Sequence, residues 1–369
     1  MDRHAWKPFL ERWSDEWRIA NPPADPATPS WLGFGPASEA EVAALEARLG
    51  RTLPPSYREF LLVTDGWTHA GPFVWRLRGT REIGWLRDLE PHLIGEDENE
   101  DEDDLLARSL LVSLEADAGV VFLDPDDVDE HGEWAAYDEF SWTAMGPVRH
   151  ASFHAKMYDF YAGFHSLDRP DCETRREWDA SVERARLAIL AGELDEPLAV
   201  LEEAVRFGRD RADLLLYQLR IMLGDPHDDV SHHVERPLSS SAGWEPDPVL
   251  LSGEILPLLR AEHARTPQWR SSTLDGLRQR GAGPVKELIG AAGQAPLRYG
   301  VPEFDAAVRA VDWSAADAWP RLKEAPALWR PLTDDHVAPV SLLADPRIAP
   351  LITPERGREI LTACRGTGR

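Results

Sequence analysis

The sequence predicts an α+β domain, a mostly antiparallel sheet packed with helices, followed by an all-α C-terminal region. Three observations carry this. Residues 38–66 hold two short helices with start and stop signals. Residues 73–137 hold short apolar runs broken by turn residues. From Glu177 onward apolar residues recur at steps of three and four, with glycines between the segments.

Ser38 followed by Glu41 has the form of a capping box, which satisfies two orphan backbone donors and starts a helix at about Glu39. Val42, Leu45 and Leu49 give that helix one apolar face, and Gly50 can close it in a left-handed conformation. Leu53-Pro54-Pro55 is a connector. Pro55 presets φ for a second helix carrying Tyr57, Phe60, Leu61 and Thr64, which Asp65-Gly66 ends.

This compound pattern, PASEAEVAALEARLG, then LPPSYREFL, then DGW, resembles the entry motif of the SUKH superfamily. That superfamily comprises bacterial immunity proteins and a fungal cell-wall synthesis regulator. The string SFHAKMYDFYAGF, Ser152 to Phe164, reads as a closing helix and is similar to the end of the SUKH domain. The resemblance spans Trp31 to Phe164.

Ahead of it, Trp6, Phe9, Leu10, Trp13 and Trp17 form an aromatic stripe on a helix over residues 4–19, better explained by core packing than by recognition. Asn21 to Ser30, with four prolines, reads as a linker. Phe73, Trp75 and Leu77, then Ile83, Trp85, Leu86 and Leu89, read as short strands and turns. Leu110–Leu114 and Gly119–Leu123 read as an antiparallel pair, and Gly132–Tyr137 as a further strand. About six strands are expected.

The organisation is therefore an N-terminal helix and linker over 1–30, a SUKH-like domain over 31–168 and a helical region over 177–369. The boundary lies between Ser166 and Glu177, where Pro and mixed charge replace apolar periodicity. Three helices follow, jointed at Gly192, Gly208 and Gly224. They are faintly repeat-like without a clean 34-residue period. Pro226 to Pro248 reads as loop, and helices are expected over 250–264, 274–280, 285–292, 304–311 and 314–322. Thr353-Pro354-Glu355 opens the last helix. The C-terminal tail resembles one in actinobacterial SUKH-domain proteins of similar length.

The chain of 369 residues carries a net charge of −25. Residues 1–168 account for −19 of it, and Glu96 to Glu139 holds 18 acids against the single base Arg108. Such a surface repels nucleic acid and attracts a basic partner. No apolar run approaches the roughly 20 residues needed to cross a bilayer. The charged start lacks the apolar centre of a signal peptide, so a cytoplasmic location and no membrane partner are expected.

Candidate chemistry is sparse. His227, His232 and His233 with Asp228 and Asp229 offer metal-ligand types, but in no known spacing. Asp97, Asn99 and Asp101 match three EF-hand positions, while Glu102 replaces the required glycine and Arg108 the bidentate glutamate. Asp127, Asp129 and His131 belong to a hairpin turn. Cys172 and Cys364 stand in no metal or redox spacing. Phosphate-loop, nucleophile-elbow and dinucleotide motifs are missing. The expectation is no catalytic residue, no metal and no cofactor.

The resemblance implies a non-enzymatic protein-binding role, as an immunity protein that neutralises a cognate toxin. The alternative is a regulatory or scaffold adaptor in cell-wall synthesis or signalling. A partner surface is expected where Trp67, Trp75 and Trp85 supply apolar anchors and Glu98, Asp101 and Asp103 an acidic rim. The run Glu96–Asp104 itself reads as a solvated loop.

Overall fold

The aromatic stripe of the first helix becomes the centre of a core in the computed structural model. The structure describes residues 3–25, 30–94, 100–143, 145–224, 247–265, 273–281, 283–291 and 296–363. Helix α1, Arg3–Ala20, buries Trp6, Leu10 and Trp13 completely. Trp6 packs edge-on to Phe60 at 5.4 Å, and Trp13 meets Trp67 at 5.8 Å and Tyr161 at 5.3 Å. Within this core the Trp6 indole Nε1 donates to the Ser56 carbonyl at 3.0 Å.

Helix α2, Glu39–Leu49, starts where its cap requires. Ser38 Oγ accepts from the Glu41 amide at 3.2 Å and Glu41 Oε2 accepts from the Ser38 amide at 2.9 Å. Gly50, at φ 68°, ends it. Helix α3, Pro55–Leu61, buries Tyr57, Phe60 and Leu61 against α1 and the closing helix α6, Phe153–Asp168.

Between α3 and α6 the described residues form eight strands rather than about six. They are β1 Trp67–Gly71, β2 Val74–Leu77, β3 Gly84–Trp85, β4 Leu110–Leu111, β5 Ser113–Ala116, β6 Gly119–Val128, β7 Trp134–Phe140 and β8 Val148–His150. All pair antiparallel, in two sheets of order β1-β2-β5 and β3-β4-β6-β7-β8. The apolar run expected as one strand at 110–114 is split between them. Leu110 and Leu111 pair with Leu123 and Phe122, whereas Ser113–Ala116 pairs with β2. Val112 forms the seam, its amide donating to Val121 and its carbonyl accepting from Arg78.

Two further expectations change. Leu86–Leu89, read as extended, forms the short helix α4. The acidic run is not all loop, because Glu100–Arg108 is helix α5. Its acids crowd the N-terminal turn, where the helix dipole favours negative charge, and Arg108 closes the last turn. Arg108 binds the buried Asp124 through two hydrogen bonds, at 2.9 and 2.8 Å, while Leu106 packs with Leu86, Leu111 and Phe122. These anchors outweigh the self-repulsion that suggested a loop.

Where β7, β8 and α6 meet, Lys156 is almost wholly buried. Its Nζ donates to Asp138 at 2.7 Å and to Asp159 at 3.0 Å, and His150 Nε2 lies 2.7 Å from the same Asp138 oxygen. A buried charge pair of this kind is expensive to break from one side.

The chain divides into two compact units, 1–175 and 176–369. We propose that the first ends after Thr174 rather than at 168. Thr174 donates to the buried Glu16 carboxylate from its amide at 3.2 Å and from its hydroxyl at 3.1 Å. A fragment of residues 1–175 is expected to be soluble. It should unfold in urea with about 1–3 kcal/mol more stability than a fragment of residues 1–168, which strips these bonds from a buried carboxylate. Equal midpoints would put the boundary earlier.

The helices beyond are α7 Glu173–Leu190, α8 Asp195–Arg206 and α9 Asp210–Met222, with Gly192, Gly208 and Gly224 at positive φ in the joints. Helices Leu256–Arg265, Thr273–Arg280, Gly283–Ala291, Pro302–Arg309 and Pro354–Leu361 follow. The second core includes Leu201, Leu215, Leu219, Leu256, Phe304 and Trp329. The helix expected over 314–322 shrinks to Ala318–Leu322. Asp312 accepts from both the amide and the hydroxyl of Ser314, a local turn that competes with helix.

Candidate protein-interaction surface

Three turns of the first unit converge on one cluster of aromatic side chains, of which Phe73 and Trp142 are exposed. Phe73 lies in the β1–β2 turn, Phe140 ends β7, and Trp142 follows in the next turn. Phe73 meets Trp142 edge-on at 5.0 Å and Phe140 at 6.0 Å, and Phe140 meets Trp142 at 5.6 Å. Trp142 is 54% exposed and Phe73 38%, and Met145 beyond them is 76% exposed. Large apolar side chains grouped in this way on a surface mark an interaction site more often than scattered ones do.

The backbone fixes the cluster. The hairpin tip between β5 and β6 places Ala118 at φ 49°, and from it the Asp117 amide donates to Phe73 O at 2.9 Å. Ala118 O accepts from the Ser141 amide at 3.1 Å, and Asp117 O accepts from Trp142 Nε1 at 3.2 Å. Gly119 is required here. A Cβ at that position would lie 2.1 Å from the Phe140 ring and 2.7 Å from the Glu139 carbonyl, so only glycine lets the ring lie over β6.

One acid stands beside the rings. Asp117 is exposed at the hairpin tip, and Asp101 and Asp104 are exposed on α5. Glu102 on the same helix comes within 4.0 Å of the position a Cβ would take on Gly146, just past Met145. Burial, together with the Glu102 charge, pushes the Glu139 carboxyl above its usual range. The neighbouring bases are occupied. Arg108 is bound to Asp124, and Arg149 is bound to Asp127 at 2.6 and 2.8 Å.

The residues expected as anchors from sequence are dispersed. Trp67 is fully buried between Trp13 and Trp31, so it belongs to the core and not to a surface. Trp85 is half-buried where β3 meets α4, and Trp75 alone of the three is well exposed, at 49%. Asp101 and Asp103 fall on α5, whereas Glu98 lies outside the described residues. Phe73, Phe140, Trp142 and Met145 were not singled out as a site. The available signal was a tryptophan just past a strand end, in a Ser-x-Thr turn, where burial is hard to achieve.

Among the described residues, the other acidic candidates do not form a site. The loop with His227, His232 and His233 lies outside the described residues, as do Asp97 and Asn99. Asp129 accepts from the His131 and Glu133 amides, and Asp127 accepts from Tyr137 and Arg149, so these carboxylates serve the hairpin. A cleft beside α1, lined by Lys7, Glu11, Asp15, Trp31 and Phe34, carries mixed charge without convergent polar groups. Among the described residues no helix is long and apolar enough to cross a membrane.

Residues 36–153 match the SMI1 / KNR4 family (SUKH-1), about a third of the chain, from the segment before α2 to the first residue of α6. No curated protein and no solved structure gives a significant match. The aromatic cluster and α5 both lie inside the matched span.

Proposed function

We propose, from the premise that residues 36–153 are a SUKH-1 domain, that this chain is a non-enzymatic protein-binding protein whose acidic, aromatic surface captures a basic partner. The finer reading is an immunity protein that covers the active surface of a cognate toxin. The observation that carries the proposal is the cluster of Phe73, Phe140 and Trp142 beside the acidic hairpin tip at Asp117, in a unit whose helix α5 is rich in acids. Aromatic anchors supply affinity while rim charges set the encounter rate.

The test uses the whole chain as bait in a pull-down, followed by mass spectrometry. A basic protein retained by the natural sequence should be lost from Phe73→Ala/Trp142→Ala, with a binding loss of about 2 kcal/mol or more, roughly thirtyfold. Changing Asp101, Glu102 and Asp104 together to Asn or Gln should instead slow association about tenfold at low salt, with the dissociation rate nearly constant. Capture that is indifferent to both sets of changes would sink the assignment of this surface.

A regulatory adaptor is the second reading. It is favoured by the second unit, whose own core of buried leucines and aromatics is larger than steric blockade requires. A toxin gene adjacent to the coding sequence supports immunity. An unchanging housekeeping neighbourhood supports the adaptor.

A further inference from the structure

Three side chains with metal-ligand chemistry meet inside the first unit, and all three lie outside the span that matches the SUKH-1 family. Glu16 comes from α1, His165 from the last turn of α6 and Cys172 from the connector before α7. Each is at least nine-tenths buried, and Glu16 oxygen, His165 nitrogen and Cys172 sulfur lie within 4.8 Å of one another. Nothing in the aromatic surface described above uses them.

We infer that Glu16, His165 and Cys172 form a binding site for a divalent cation of the zinc class. The donor set fits that class. Carboxylate oxygen, imidazole nitrogen and thiolate sulfur are the three ligand types zinc takes, whereas calcium and magnesium demand oxygen throughout. Distances fit as well. Ligand atoms on a tetrahedral zinc stand about 3.4–3.7 Å apart, given bond lengths of about 2.0–2.3 Å. His165 Nε2 and Glu16 Oε2 stand 3.0 Å apart in a hydrogen bond that the metal would replace, the pair opening by about half an ångström while the sulfur closes by about an ångström at most.

The carboxylate has one cation beside it, the partly exposed Arg12 guanidinium. The carboxylate is also held in place by its neighbours. Tyr161 OH donates to Glu16 Oε2, Thr174 Oγ1 lies 3.1 Å from the same oxygen, and the Thr174 amide donates to Oε1 at 3.2 Å, where Arg12 Nε also approaches at 3.4 Å. Hydrogen bonds of this kind orient a metal's ligands and tune its affinity. A bound ion would fasten α1 to the end of α6, joining two segments that flank the SUKH-1 span.

The experiment uses the full chain, stripped with a chelator and titrated with Zn²⁺ alone, with bound metal measured by mass spectrometry after gel filtration. One zinc per chain is expected. Substitution with Co²⁺ should give the near-ultraviolet thiolate-to-metal absorption that only a cysteine ligand produces. Cys172→Ser should abolish that absorption, while Cys364→Ser and His232→Ala/His233→Ala should keep both it and the stoichiometry. Because the natural chain's cobalt spectrum needs no variant, a folding defect in Cys172→Ser cannot mask the result. No stoichiometric zinc, a cobalt complex without thiolate absorption, or metal lost on changing Cys364 or the His232/His233 pair would each overturn the site.

Discussion

Replacing Trp6 with alanine is expected to lower the stability of the first unit by about 3–5 kcal/mol, the range for removing a large aromatic from a packed core. Trp6 is fully buried and touches Phe60, Phe153 and His154 at centroid distances of 5.4, 5.9 and 5.4 Å. Truncation opens a cavity that this rigid ring assembly cannot collapse into, and it leaves the Ser56 carbonyl without the donor it has at 3.0 Å. Equilibrium urea unfolding followed by near-ultraviolet circular dichroism reads the change. The result has a consequence for the domain as a whole, because α1 precedes the family-matched span yet occupies the centre of its core. A loss below about 1 kcal/mol would make α1 an appendage that the matched domain can do without.

Lys156→Met should cost about 3 kcal/mol at neutral pH, since removing one partner of a buried pair leaves the other charge poorly compensated. His150 remains on Asp138, which keeps the cost from rising further. The lysine ammonium also lies over the Phe160 ring at 4.2 Å, and methionine keeps the packing of the stem but loses this attraction, so the loss reports charge more than packing. Acid provides an internal check. Burial pushes the Asp138 carboxyl upward, but the His150 hydrogen bond and the Lys156 charge outweigh it, and the group titrates below its ordinary value. A depressed carboxylate stabilises the fold above the unfolded value of about 3.9 and loses that contribution as pH falls through its lower folded value. The gap between the natural chain and Lys156→Met should therefore be widest near neutrality and narrow steadily below about pH 4. A gap independent of pH would assign the effect to packing instead.

Much of the helical part was legible in the sequence because its signals act over a few residues. Ser38 and Glu41 satisfy each other's backbone donors three positions apart, Gly50 takes the left-handed conformation, and Thr353 caps the final helix. Such contacts form wherever the chain is placed. The SUKH resemblance rested on the same local pattern, and residues 36–153 match that family.

What depended on distant partners was not legible. Leu110–Leu114 reads as one strand, and only the competing edges of β2 and β6 divide it at Val112. The acidic run reads as loop until Asp124 offers Arg108 a buried partner and Leu106 a core to enter. Trp67 and Trp142 look alike in sequence, yet one is enclosed by Trp13 and Trp31 and the other stands in a turn beside Phe73. Glu16 and His165, 149 residues apart, meet only because α1 and α6 share a core. Local sequence thus determined where the capped helices, α2 and Pro354–Leu361, begin, since capping is short-range hydrogen bonding. The tertiary structure alone decided which side chains are buried, which are exposed and which meet, since burial depends on the surfaces that distant segments bring together.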